Sequence, residues 1–140
     1  MSEHQDVRKC TTDFAMRIIR LYRALPTKMD GVAEVLGKQL LRSGTPVTAQ
    51  YRELCRAKSD TGFISKIEGA QQELEESDLC LELMGDSKTG KVGLLAPLRA
   101  ETNEFMSIFT TIAKNVKKRP RNAVRSTALI PPPSFHRLSP

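Results

Sequence analysis

Two segments in the second half of the chain repeat apolar or small residues at alternating spacings of three and four, and no other feature constrains the fold as much. The first set is Phe63, Ile67, Ala70, Leu74, Ser77, Leu81 and Met84, and the second is Leu95, Leu98, Thr102, Phe105, Phe109, Ile112 and Val116. Residues three and four apart share one face of an α-helix, so each segment predicts a long helix with a single apolar seam. Because such a seam has to be buried against other helices, the sequence predicts a helical bundle.

The first half of the chain predicts two further helices with the same kind of stripe. The first helix begins at Thr12 or Asp13 and ends at Pro26, because proline cannot continue the hydrogen-bond ladder. Its stripe consists of Phe14, Ile18, Leu21, Tyr22 and Leu25. The second helix directs towards the core Val32, Leu36, Leu40, Val47, Tyr51 and Leu54. Within this helix, Gly44 and Pro46 predict a kink or a break.

Short links join these helices, which favours antiparallel neighbours and an all-α, up-down four-helix bundle. The third and fourth helices are joined by residues 85–90, where we expect the glycine at either end to have a positive φ angle. We expect a flexible N-terminus over residues 1–11, the bundle over 12–119, and a disordered, basic, proline-containing tail over 120–140. A second apolar face predicts burial against other subunits, and it consists of Ile64, Leu79, Leu83, Leu94 and Ile108.

The composition is typical of a globular protein without membrane spans or disulfide bonds. No run of apolar residues approaches the length of about eighteen that spans a bilayer, and the polar N-terminus lacks the apolar core of a signal peptide. The cysteines Cys10, Cys55 and Cys80 are widely spaced and fit neither a disulfide framework nor a metal knuckle. These observations predict free thiols in a reducing compartment and therefore a cytoplasmic protein.

Charge is distributed unevenly along the chain, whose formal net charge is +6. Residues 1–59 contain eleven basic and six acidic residues, whereas residues 60–84 contain one basic and seven acidic residues. Residues 114–140 contain seven basic residues and no acidic one. We therefore expect the acidic third helix to pair with basic neighbours, whereas the basic tail needs an acidic partner from outside the bundle.

Residues 85–92 resemble a phosphate-binding loop, because the two glycines and Lys91 have the required spacing. That motif also needs serine or threonine after the lysine and a buried strand before the loop. Here Val92 follows Lys91 and an acidic helix precedes the loop. We therefore interpret the segment as a turn between two helices.

Carboxylates are dense on the third predicted helix, at Glu68, Glu73, Glu75, Glu76, Asp78 and Glu82. A di-iron bundle would need histidines on its helices, but His4 and His136 lie near the termini. Acids three apart, such as Glu73 and Glu76, match the spacing of all-helical nucleoside-triphosphate pyrophosphatases, so a carboxylate–magnesium nucleotide hydrolase is a remote alternative. The heptad seam turns most of these acids outwards, however, and we predict no metal site, no cofactor and, without a histidine to activate a nucleophile, no enzymatic activity.

Basic residues outside the apolar stripes are the best indication of function. They recur three apart on the first helix and four apart on the second. The predicted nucleic-acid-binding residues are Arg17, Arg20, Arg23, Lys38, Arg42, Arg52, Arg56, Lys114, Lys117, Lys118, Arg119 and Arg121. A surface of this charge attracts phosphate backbones without reading sequence, and few aromatic residues are present for base stacking. The alternative is that these basic faces only keep the protein soluble or balance the acidic helix.

Several short runs of residues resemble a known bacterial family. They are residues 41–47 (LRSGTPV), 51–53, 63–66, 73–77 and 81–84. The pattern is similar to that of the four-helix-bundle proteins encoded in intervening sequences of large-subunit ribosomal RNA genes. The resemblance implies a small bundle that assembles into a homopentameric ring or barrel. A related branch, the accessory variability determinant of diversity-generating retroelements, partners a reverse transcriptase and contacts nucleic acid through a basic surface.

The sequence leads to two functional hypotheses. The first is a non-enzymatic homo-oligomer that acts as a nucleic-acid-associated accessory or scaffold protein and binds RNA or DNA through its basic surface. The second is a protein-interaction scaffold with no nucleic-acid role, whose partner is another protein such as a reverse transcriptase.

Overall fold

The computed structural model describes residues 3–118, and the side chains of residues 6–118. This part of the chain contains no strand and consists of α1 (Glu3–Ala24), α2 (Gly31–Gly44), α3 (Pro46–Cys55), α4 (Asp60–Asp86) and α5 (Val92–Lys117). The all-α prediction is confirmed for these residues. The tail predicted over 120–140 lies outside the described residues.

The helices α2 and α3 are two segments of one rod. Thr45 joins them in a helical conformation (φ −68°, ψ −33°), and its N–H donates to the Leu41 carbonyl oxygen over 3.3 Å. Pro46 begins α3 at a first-turn position, where a missing N–H costs little. The break predicted at Gly44 and Pro46 is confirmed, and the five helices form four rods.

The four rods pack so that α1 and α4 lie diagonally opposite each other. Each of the two lies against α2, α3 and α5, and in the described part of the chain no Cα atom of α1 comes within 8 Å of one of α4. Neighbouring rods run antiparallel. Arg99, near the start of α5, pairs with Asp78 late in α4, whereas Lys117 at the end of α5 pairs with Glu68 near the start of α4. The predicted up-down order therefore agrees with the structure.

The two heptad sets form the centre of the core, and all of their residues are buried. Aromatic rings connect the rods within this core. Tyr51 of α3 stacks on Phe109 of α5 with ring centroids 6.0 Å apart, and Phe14 of α1 meets Phe105 of α5 edge-on at 5.4 Å. Three of the four rods therefore share one continuous aromatic contact, to which α4 adds its aliphatic seam.

The first helix begins earlier than predicted. It begins at Glu3 rather than at residue 12 or 13, so the predicted boundary between residues 11 and 12 is wrong. Val7 and Thr11 continue the stripe of Phe14 towards the N-terminus, and both are fully buried. The buried Thr11 hydroxyl is satisfied because it donates to the Arg8 carbonyl oxygen over 2.9 Å.

The buried side of α2 differs from the prediction at the N-terminal end of that helix. Val32 is 52% exposed, and the buried positions are Ala33, Gly37 and Leu40. Glycine is required at position 37, because a Cβ atom there would lie 2.7 Å from Cδ2 of Tyr22. Hydropathy alone favours Val32 as a core residue. The structure instead buries the face that contains Gly37, because that face can pack closely against the ring of Tyr22.

The link between α4 and α5 is a tight turn. Positive φ angles occur at Lys88 (55°) and Gly90 (84°), whereas Gly85 lies within α4. The positive φ expected at Gly90 is confirmed, and the one expected at Gly85 is wrong. Because a helix precedes the turn and Thr89 is buried within it, the segment lacks the open, strand-linked loop that cradles phosphates.

Candidate nucleic-acid interface

The antiparallel packing brings the start of α1, the end of α3, the start of α4 and the end of α5 together at one end of the bundle. Arg52 of α3 donates to the Thr12 hydroxyl of α1 over 3.3 Å. Lys117 of α5 pairs with Glu68 of α4 over 3.1 Å. Residues 6–13, 52–68 and 110–118 form this end of the molecule, which we call the basic end.

The basic end carries most of the unbalanced positive charge of the bundle. It contains nine basic and five acidic residues. The opposite end, which consists of residues 20–34 and 78–91 and is called the neutral end, contains five of each. Like charges gathered in one region raise the local concentration of counter-ions, so a polyanion is attracted to the basic end more than to the neutral end.

The structure separates the predicted nucleic-acid-binding residues into three groups. The basic end contains the exposed residues Arg52, Arg56, Lys114, Lys117 and Lys118. The flanks of α1 and α2 carry Arg17, Lys38 and Arg42, whereas Arg20 and Arg23 lie at the neutral end. Arg119 and Arg121 lie outside the described residues.

Two of the cations on the flanks already have carboxylate partners. Arg17 is largely covered and bonds to Glu101 of α5, so it connects two helices. Lys38 pairs with Glu34, one turn earlier on α2, over 2.8 Å. The hydrogen bond between them, followed by their opposite charges, lowers the pKa of Glu34 and raises the pKa of Lys38. These two residues are therefore weaker phosphate ligands than the sequence predicts.

Three cations of the basic end also have partners. Lys9 pairs with Asp13 over 3.3 Å, Lys66 pairs with Glu53 over 2.8 Å, and Lys117 pairs with Glu68 as described above. Six cations of this end form no ion pair with a described carboxylate, namely Arg8, Arg52, Arg56, Lys58, Lys114 and Lys118. These six come from three segments of the chain, namely the start of α1, the end of α3 with the link that follows it, and the end of α5, and the fold brings them to one end of the bundle.

Arg8 and Lys9 are not among the residues predicted from sequence, because they precede the predicted start of the first helix. Val7 is the feature that could have identified them. It lies four residues before Thr11 and seven before Phe14, so it extends the apolar stripe and places Arg8 and Lys9 on the helix.

The carboxylates of α4 face away from the core or lie at its edge, as predicted. Arg99 of α5 pairs with Asp78 over 3.1 Å and with Glu82 over 3.7 Å, so part of the acidic charge is compensated within the bundle. Burial, with the charge of Glu76, raises the pKa of Glu73. Among the described residues, no three histidine, cysteine, aspartate or glutamate side chains are grouped so that they could hold a metal ion.

In the described part of the chain, none of the three cysteines forms a disulfide bond. Cys80 is buried, and burial with the charge of Glu76 raises its pKa, which disfavours the reactive thiolate. Burial likewise raises the pKa of Tyr51, whose side chain bonds to Cys55. These groups are protonated at neutral pH and have no feature of activated nucleophiles.

Three of the five residues predicted to form a second apolar face are exposed. The exposed fractions are 53% for Leu79, 43% for Leu83 and 44% for Leu94. Ile64 is half-buried, and Ile108 is only 6% exposed, so the assignment of Ile108 to this face is wrong. Leu79 and Leu83 lie one turn apart on the side of α4 that faces away from its buried seam.

Comparison with known proteins identifies relatives by sequence and by fold. The family of 23S rRNA-intervening sequence proteins matches residues 3–111 of this chain. A crystal structure of a protein of unknown function from the S23 ribosomal protein family of Bacteroides thetaiotaomicron superposes with a TM-score of 0.72. The two sequences are 29% identical over 81% of this chain and 99% of the other. No protein of curated function matches significantly in sequence. In the described part of this chain, no helix is both long and apolar enough to cross a membrane.

Proposed function

Because this chain belongs to the family of 23S rRNA-intervening sequence proteins, we propose that it is a non-enzymatic, oligomeric helical bundle that acts as a nucleic-acid-associated accessory or scaffold protein. Nucleic acid binds at the basic end through its phosphates. The observation that supports this proposal is that nine basic and five acidic residues gather at the basic end, whereas the neutral end contains five of each.

The chemistry of the basic end favours backbone contacts over base recognition. Its arginine and lysine side chains are exposed, whereas its aromatic residue Phe63 is buried in the core and unavailable for stacking on bases. Contacts of this kind neutralise phosphates, release condensed counter-ions and depend little on sequence. We therefore expect binding to RNA and DNA of any sequence, with strong dependence on salt.

Assembly into a homo-oligomer is part of the proposal. Leu79 and Leu83 expose apolar surface on the outer side of α4, and such surface is favourable to bury against another copy of the chain. A ring of the kind implied by the family resemblance repeats the basic end once per subunit, which multiplies weak phosphate contacts through avidity. The three cysteines, which form no disulfide bond in the described part of the chain, fit a reducing, cytoplasmic environment.

The same exposed leucines favour a second candidate, a scaffold that binds another protein and has no nucleic-acid role. Binding of labelled single-stranded RNA and DNA to the full-length chain, measured by fluorescence anisotropy over a range of salt concentrations, separates the two. If three or more phosphates are contacted, the logarithm of the association constant should fall with the logarithm of the salt concentration with a slope of about −2 or steeper. Absence of binding even at low ionic strength contradicts the nucleic-acid role, and light scattering that still shows an oligomer then favours the protein scaffold.

A further inference from the structure

A groove of about 370 Å³ lies at the basic end between the N-terminal part of α1 and the helix α3. It is lined by Arg8, Lys9, Thr12, Asp13 and Arg52. Three of these five side chains are cationic and one is anionic. Cations from two rods therefore face a common space in this groove.

Hydroxyl groups form the junction of the two helices beside this groove. Thr12 Oγ1 lies 3.1 Å from Thr48 Oγ1, and Thr11 Oγ1 lies 3.2 Å from the same Thr48 oxygen. Arg52 Nη2 donates to Thr12 Oγ1 over 3.3 Å. The guanidinium group of Arg52 is therefore held in place by one of its five N–H donors, and the other four have no partner among residues 6–118.

The charges in the groove are not balanced. Lys9 pairs with Asp13 over 3.3 Å, which leaves Arg8 and Arg52 without a carboxylate partner among the described residues. Two like charges that line the same groove repel each other, and an anion between them removes that repulsion. Guanidinium groups suit a phosphate in particular, because their planar donors match pairs of phosphate oxygens.

We propose that this groove binds one backbone phosphate of a nucleic acid, held by Arg8 and by Arg52, which the Thr12 hydroxyl positions. The inference rests on the proposed function and adds to it a defined site, together with one residue, Arg8, that the sequence pattern did not indicate. Asp13 lies in the same groove and opposes the phosphate, so it weakens binding at this site.

The test compares two double variants that remove the same charge. Arg8→Gln with Arg52→Gln removes the groove cations, whereas Lys88→Gln with Lys91→Gln removes two exposed lysines of the neutral end. The probe is a fluorescein-labelled single-stranded oligouridylate of about twenty nucleotides without a terminal phosphate. Loss of one phosphate contact lowers the salt slope by about 0.7, which corresponds to about eightfold weaker binding at 50 mM salt and about fourfold at 150 mM. The control variant should bind within about twofold of the unmodified chain.

A third variant, Asp13→Asn, tests the groove by a gain of affinity, which a damaged fold cannot produce. Removal of one negative charge about 6 Å from a phosphate should tighten binding about threefold in water. Equal affinities of the groove variant and the control variant overturn the groove while leaving the proposed function intact. No binding of the unmodified chain overturns both. If circular dichroism shows that the groove variant is unfolded, Asp13→Asn decides: tighter binding supports the site, and unchanged binding overturns it.

Discussion

Gly44 marks the closest approach between the second rod and α1, and its replacement by alanine tests the packing of the bundle directly. A Cβ atom at position 44 would lie 2.2 Å from Cδ1 of Ile18, which is fully buried. Carbon atoms in favourable contact are about 3.5–4.0 Å apart, so the methyl group requires Ile18 or the helices to move by more than an ångström. The next nearest atoms, Cγ1 of Ile18 and Oγ of Ser77, both lie 3.5 Å from that Cβ atom at ordinary contact distance, so the clash is with Cδ1 of Ile18.

The expected magnitude follows from two opposing terms. Overpacking of a filled core costs about 1–3 kcal/mol, whereas alanine gains up to about 1 kcal/mol over glycine in a helix. Gly44→Ala should therefore lower the free energy of unfolding by about 0.5–2 kcal/mol. Ile18→Val removes the Cδ1 atom that the new methyl group meets, and by itself costs about 0.5–1.5 kcal/mol. In the double variant the clash is absent, so we expect a coupling energy of at least about 1 kcal/mol.

Urea denaturation followed by circular dichroism, at one fixed protein concentration, measures all four proteins of this double-mutant cycle. Gly85→Ala is the matched control, because position 85 is helical and exposed and a Cβ atom there meets nothing within 4 Å. This control should be neutral or slightly stabilising. Additive effects of Gly44→Ala and Ile18→Val would refute the close approach of the two rods.

Two further predictions concern polar groups of α4. Ser77→Ala should lower the free energy of unfolding by about 1 kcal/mol, because the buried Ser43 hydroxyl loses its 2.8 Å partner, and urea denaturation should show that Ser43→Ala adds less in this background than alone. Glu73→Gln should raise the free energy of unfolding at pH 7 by less than about 1 kcal/mol. Burial and the charge of Glu76 raise the pKa of Glu73, so its ionised form is disfavoured in the folded protein. Thermal unfolding across pH should show this gain disappearing below about pH 4, where the carboxyl is protonated in both states; a gain that persists at pH 3 contradicts the assignment.

The parts of the fold that the sequence predicts well are those in which one periodicity dominates. The heptads of α4 and α5 place every residue correctly, including Ser77 and Thr102, because long seams tolerate a small polar residue that bonds to its own helix. Prediction is weaker where glycine takes a core position. The hydropathy of Gly37 does not indicate burial, and its position is explained by Tyr22 and Leu25 of α1, whose side chains would lie within 3 Å of a Cβ atom there.

The candidate site is less predictable than the fold, because it depends on which helix ends meet. From its spacing in the sequence, Arg17 is expected to act together with Arg20 and Arg23 on α1. In the structure it instead pairs with Glu101 of α5, a helix that is distant in sequence. Arg8 and Arg52 are far apart in sequence, and the antiparallel packing of α1 on α3 alone places them along one groove. The sequence identifies the cations, whereas carboxylates on other helices determine which of these cations can still bind a phosphate.

The assignment of nucleic-acid binding to one end of the bundle is tested most directly by lysine footprinting. Exposed lysines are acetylated in the presence and absence of single-stranded RNA, and their modification is measured by mass spectrometry. Lys58, Lys114 and Lys118 at the basic end, and Lys28 and Lys88 at the neutral end, are all exposed in the unbound protein. We predict that RNA protects the first three and leaves the other two as reactive as before. Equal protection at both ends, or protection at the neutral end alone, would contradict the assignment.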